Sequence, residues 1–135
     1  MSDHAALLFA NEAFYHAFRS RDPAAMERVW AARSSVTCIH PGWRVLHSRK
    51  EVMASWKGIL GNPEAPPITC REARAHLHDS FGLVLCYEVI GESVLAATNA
   101  FLREGRDWRM IHHQAGPCDL TPAQLAAPAD PGPMQ

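Results

Sequence analysis

His40 stands directly before Pro41, at the end of the β-branched run Val36-Thr37-Cys38-Ile39, and opens the chemical reading of this chain. Imidazole titrates near neutral pH, so a histidine facing a pocket can move a proton on an activated C–H bond or a water. The proline restricts the residue before it to extended backbone, which fixes where the ring starts. The competing role is an imidazole bonded to a backbone carbonyl and packed on Trp43. Trp43 and Trp56 are candidate walls for a flat ligand, because an indole offers a large apolar face and one N–H donor. Trp30 and Trp56 lie on helical faces turned toward a core. Trp43 lies in a loop, where packing explains it less well.

Four of the other seven histidines fall into two pairs. His112 and His113 are adjacent in a strand-like run, so their side chains leave opposite faces and only one can enter an interior. His76 and His78 share a face and, with His40 and one of His112 and His113, could bind a metal through imidazole. Arg71, Glu72 and Arg74 beside them point instead to a solvated or interface surface, and no metal is expected. Arg44 and Arg49 flank the loop after His40 and could meet a ligand carboxylate or simply be solvated. The four cysteines are widely spaced without a CxxC pair, which argues against both a disulfide framework and a structural zinc site. No glycine-rich phosphate loop and no G-x-S-x-G elbow occurs, so nucleotide use and serine hydrolysis are disfavoured. No cofactor is expected.

What must position these residues is one domain. The 135 residues can bury one core, and 47% hydrophobic with 20% charged residues is an ordinary globular balance. A net charge of -1 implies no basic face, so nucleic acid and anionic membranes are poor partners. No apolar run is long enough to span a bilayer. Met1 to Ala10 lacks the basic start of a secretory signal, and the cytoplasm is the expected location.

Helical spacing of Leu7, Ala10 or Asn11, Phe14 and Phe18 predicts a first helix over Asp3–Arg19. Asp22 and Pro23 suit the cap and first turn of a second, with Met26, Val29 and Trp30 on its apolar face. Ser48-Arg49-Lys50-Glu51 is a capping box for a third helix over Arg49–Leu60, with Gly61 as a left-handed stop. Beyond Pro67 the period becomes strand-like: Ile68–Asp79, Leu83–Ile90, Ser93–Arg103 and Trp108–Ala115, joined by short turns. Short turns imply an antiparallel meander, and helices followed by a meander give an α+β fold. Its curved antiparallel sheet forms a cone around three N-terminal helices, and the open end of that cone is a pocket. Residues 1–120 form this domain. Residues 121–135, rich in proline and alanine, read as a mobile tail.

Four features together resemble the nuclear transport factor 2-like superfamily, in its SnoaL-like and ketosteroid-isomerase-like branch. They are the helix pair broken at Ser20-Arg21-Asp22-Pro23, the strand running into His40-Pro41-Gly42-Trp43, the capped helix Ser48–Leu60, and the last strand Trp108-Arg109-Met110-Ile111-His112-His113. In the isomerases of that superfamily an aspartate before a proline is the general base, and His40 holds the matching position. The match puts Asn99 and Phe14 where the isomerases hold an oxyanion with a protonated aspartate and a tyrosine. Phe14 has no hydroxyl and Asn99 is no acid, so the isomerase set is not reproduced. The match also tilts His113, rather than His112, toward the interior.

The resemblance implies a small apolar or aromatic ligand, with His40 as acid/base and Asn99 as a hydrogen-bonding partner. Phe14, Phe18, Trp30, Trp43, Trp56 and His113 are the candidate ligand contacts. Isomerisation, dehydration or hydrolysis without a cofactor is the expected chemistry, and a non-catalytic dimeric binding or assembly domain is the alternative. Leu83 to Ile90 carries apolar residues at both parities, so the outer sheet face is expected to form a homodimer.

Overall fold

The computed structural model describes residues 1–126. Its elements are α1 (Asp3–Ser20), α2 (Pro23–Val29), β1 (Thr37–Ile39), α3 (Arg49–Gly61), β2 (Thr69–Leu77), β3 (Phe81–Ile90), β4 (Ser93–Glu104) and β5 (Asp107–Pro117), followed by a 3₁₀ turn at Pro122–Gln124. Three caps set the helix starts. Ser2 accepts from Ala5 N, Asp22 from Ala24 and Ala25 N, and Ser48 from Glu51 N. Each cap satisfies an orphan N–H and stabilises its helix by about 1 kcal/mol. Arg21 takes the left-handed conformation (φ 52°) that ends α1. Its guanidinium donates to the carbonyls of Asn62 at 2.6 Å and Ala65 at 2.5 Å, tying that turn to the loop after α3.

The five strands run β1-β5-β4-β3-β2 across one sheet. From β2 to β5 they form the expected antiparallel meander, with Val84 opposite Asn99 and Asn99 opposite His113. The edge differs from the all-antiparallel expectation: β1 pairs parallel with β5, Cys38 lying beside His113. A parallel neighbour needs a long crossover, and everything from α3 to β4 supplies it. The strand that carries His40 at its end therefore lies next to the strand that carries His113.

Smaller differences have local causes. Phe81 and Gly82 belong to β3 rather than to a turn, because His78 N–H bonds the Phe81 carbonyl and closes the hairpin two residues earlier. Gly82 is also where α1 comes nearest the sheet: a Cβ there would lie 2.5 Å from Leu7 Cδ2. Gly61 stays helical and is no left-handed stop; α3 ends at Asn62, whose φ is -86°. The segment expected as a mobile tail begins with ordered contacts: Leu125 is buried, Ala126 N donates to Glu72, and Arg71 donates to the Ala126 carbonyl. That is possible because Glu72 (φ 55°) sits in a bulge of β2 that leaves its polar groups free to receive the chain. Residues 127–135 lie outside the described residues.

The core lies between the helices and the concave face. Leu7, Phe14, Tyr15 and Ala17 of α1, Met26 of α2 and Val52, Trp56 and Leu60 of α3 pack on Val84, Cys86, Ala97, Phe101, Met110 and Ala115. Among the described residues, five polar ones are buried with them: Asn11, His40, Glu88, Asn99 and His113. No helix among the described residues is long and apolar enough to cross a membrane.

Candidate functional site

Four of those five polar residues, with Tyr15, form one hydrogen-bonded chain on the concave face. Asn99 Nδ2 donates to Asn11 Oδ1 at 2.8 Å and to Tyr15 Oη at 3.1 Å. Tyr15 in turn donates to Glu88 Oε2 at 2.6 Å. The other end of the Asn99 amide, Oδ1, lies 2.6 Å from His113 Nδ1. Because that oxygen can only accept, His113 carries its proton on Nδ1, and Nε2 is left as a lone-pair nitrogen. Asn99, the candidate hydrogen-bonding partner in the site, thereby sets the tautomer of His113.

Nε2 of His113 lies 3.8 Å from Glu88 Oε2. This is not an ion pair. Burial holds His113 down to about 3, helped by His40 and His112, and burial pushes the Glu88 carboxyl up to about 7 although Tyr15 opposes the shift. At neutral pH the imidazole is uncharged and the carboxyl is poised near half protonation.

His40 joins the same space from the end of β1. Ser55 Oγ gives its proton to the Val52 carbonyl at 2.7 Å and lies 2.8 Å from His40 Nε2. Ser55 must accept there, so His40 is protonated on Nε2 and keeps its lone pair on Nδ1. Burial lowers its titration to about 4, so at pH 7 it is a neutral base. The serine on α3, and not a backbone carbonyl, bonds its Nε2. Its ring sits 4.8 Å from Trp43, 4.7 Å from Trp56 and 6.3 Å from His113, centroid to centroid.

These groups border a cavity of about 160 Å³, close to the volume at which an apolar engineered cavity takes up benzene. His40, Glu88 and His113 supply its polar wall, and Phe18, Trp43 and Trp56 its aromatic one. Among the described residues, neither lysine nor arginine lines it. Trp43 forms the rim and is 48% exposed, whereas Trp56 is buried and its indole N–H has no partner among the described residues.

Two other candidate contacts stand elsewhere. Phe14 lies behind the site, with its ring 4.9 Å from His113 and 5.4 Å from Trp56. Trp30 closes α2 against Met110, outside the cavity wall. Arg49 donates to the carbonyls of Glu27, Trp30 and Ala31, and Arg44 pairs with Glu51 on the surface, so neither lines the cavity. His112 leaves the other face and bonds Thr37 Oγ1 at 2.7 Å; His76 and His78 are exposed.

Sequence reasoning missed Tyr15, Asn11 and Glu88. A signal existed for Glu88: it shares its parity with Val84, Cys86 and Ile90, so an inward Val84 carries a carboxyl inward too. A wider cleft of about 670 Å³ lies between α1, α2 and the β4–β5 turn, bordered by Phe9, Arg28, Arg103 and Arg109. It holds no buried acid or base, and the small cavity is the candidate site for that reason.

Comparison with known proteins agrees with this architecture. A family model described as a SnoaL-like domain matches residues 8–118. The chain belongs to the SnoaL-like family. This SnoaL-like domain resembles the crystal structure of a candidate dehydratase of the NTF2-like family from Streptomyces avermitilis, with a TM-score of 0.80 and 28% identity over 87% of this chain and 97% of that one. It also resembles a candidate calcium/calmodulin-dependent protein kinase type II association domain from Thiobacillus denitrificans, with a TM-score of 0.72 and 29% identity over 82% and 93%. The S. rosetta CaMKII hub shares the fold at a TM-score of 0.74 and 15% identity, over 87% and 98%. No curated protein sequence matches the chain.

Proposed function

We propose that this SnoaL-like domain is a cofactor-free acid–base enzyme of the dehydratase type, acting on a small, largely apolar hydroxy-carbonyl compound. One observation carries the reading. A cavity of the right size for one ring is bordered by a carboxyl poised at about 7 and by two neutral histidines. Groups with environments that push their titrations apart divide acid and base roles between them. The similarity to the candidate dehydratase supports the same class.

In this mechanism His40 Nδ1 takes the proton from the carbon beside the carbonyl, and the electron pair forms the new double bond as the neighbouring hydroxyl departs. Protonated Glu88 delivers its proton to that hydroxyl, which leaves as water. The His40 imidazolium then returns its proton to the Glu88 carboxylate through solvent, restoring both groups. Tyr15 and Asn99 do not react; they hold Glu88 and His113 in place. His40→Ala is expected to reduce turnover of a β-hydroxy-ketone by a factor on the order of 10² to 10⁴. Loss of turnover with intact folding, by circular dichroism, supports the role; turnover within a few-fold of wild type removes His40 from the mechanism.

The assembly reading has its own support and is compatible with catalysis. The outward parity of β3 presents Leu83, Leu85, Tyr87 and Val89 beside Ala96 and Thr98 of β4, and Leu85 is 41% exposed. A row of this kind suits a second copy of the chain packed through the outer sheet face. The likeness to an association domain points the same way. Leu85→Arg is expected to convert a dimer into a monomer in sedimentation velocity, and a wild-type monomer at micromolar concentration would remove the proposal.

A further inference from the structure

The space between Glu88 and His113 has a chemistry of its own. Their nearest polar atoms, Oε2 and Nε2, are 3.8 Å apart, too far for a hydrogen bond between them and close enough for one oxygen to bridge. Both side chains are 2% exposed, and both border the cavity. The groups behind this pair are engaged with one another. Asn99 takes His113 Nδ1, Tyr15 fills a position on Glu88 Oε2, and Asn11 caps the far end of the Asn99 amide. Among the described residues, nothing donates to His113 Nε2, and Glu88 Oε1 has no hydrogen-bond partner.

The geometry points to a hydroxyl-binding subsite between Glu88 and His113, which accepts an uncharged alcohol or phenol and rejects a carboxylate. This rests on the cavity being the ligand site, as proposed above, and names which part of the ligand it recognises. Nε2 is a fixed acceptor, since Asn99 holds the proton on the other nitrogen, so the bridging group must donate. Glu88, when protonated, must itself find an acceptor. A hydroxyl does both at once. An ether oxygen accepts from Glu88 but leaves Nε2 unpaired. A carboxylate can accept from Glu88 but cannot donate to Nε2, and it brings an unpaired negative charge into a cavity lined, among the described residues, by neither arginine nor lysine. The aromatic wall of Phe18, Trp43 and Trp56 then selects a ring to carry the hydroxyl.

The test is equilibrium binding of three ring probes of similar size to the intact protein by calorimetry at pH 7. Phenol is expected to bind about tenfold more tightly than anisole, the worth of one buried donor, with benzoate weakest of the three. With histidine side chains labelled with ¹⁵N, phenol is expected to move the Nε2 resonance of His113, and anisole to leave it in place. His113→Phe is expected to shrink the phenol preference to less than about threefold, the ring volume being kept. Anisole binding as tightly as phenol, benzoate binding tightest, no phenol binding at millimolar concentration, or an unmoved His113 resonance would each overturn the subsite. The wild-type comparisons stand even where the variant fails to fold. Phenol cannot lose water, so these results are independent of whether the domain catalyses a dehydration.

Discussion

Glu88→Gln is expected to raise stability at pH 8 and to leave it nearly unchanged at pH 4.5. In the folded chain burial raises the Glu88 carboxyl to about 7, from a usual value of 4.5. Between those two values the folded state holds a proton that the unfolded state has released, so stability falls as pH rises through the window. Above pH 7 the full cost of a buried, ionised carboxyl is present, on the order of 3 kcal/mol. Glutamine has the same shape, can still accept from Tyr15, and carries no charge at any pH. Its melting temperature at pH 8 is therefore expected to exceed that of wild type by roughly 10 °C.

The acid side behaves oppositely and should survive the substitution. His40 and His113 titrate at about 4 and about 3 in the fold, below their usual 6.5. Stability present above pH 6.5 is lost as pH falls toward those values, because the unfolded chain takes up protons that the buried rings refuse. Melting curves of both proteins from pH 4 to 8 give the answer. Parallel profiles, with wild type declining no faster than Glu88→Gln above pH 5, would mean that Glu88 is ordinarily ionised and no proton donor. A stabilised variant without turnover is the pattern expected of a group kept for its chemistry at the expense of the fold.

The second large effect separates the wall of the cavity from what stands behind it. Phe14→Ala is expected to cost about 3–5 kcal/mol in denaturant unfolding, the range for truncating a fully buried aromatic ring. Phe14 has no exposed surface, and its ring meets Tyr15, Trp56 and His113 at centroid distances of 4.7, 5.4 and 4.9 Å. Trp43→Ala is expected to cost less than about 1 kcal/mol, since the residue is 48% exposed in a loop, and to weaken ring probes instead. A Phe14→Ala protein as stable as wild type would mean that the helical layer does not bear on His113. An equal loss from Trp43→Ala would make the rim part of the core.

How much of this was legible beforehand depends on how local the cause was. The helix starts at Ser2, Asp22 and Ser48 rest on side chains that bond N–H groups two or three residues away, so neighbouring letters suffice to locate them. The meander follows from short turns and period-two runs, for the same reason. His40 before Pro41 was recognisable by adjacency, whereas the resemblance only tilted the inward choice toward His113 and the packing decided it.

What remained hidden depends on contacts across long stretches of chain. Whether β1 runs parallel to β5 is decided by how the crossover between them packs, which no local pattern records. Tyr15, Glu88, Asn99 and His113 come from four different elements, α1, β3, β4 and β5, and each letter alone fits an ordinary strand or helix. Apolar residues at both parities of β3 concealed which face of that strand Glu88 occupies. Residue types and their order determined an α+β cone with a histidine at the end of its first strand. Only the tertiary packing decided that a carboxyl would be buried opposite it: desolvation and proton placement belong to the assembled interior, and an unfolded chain has neither.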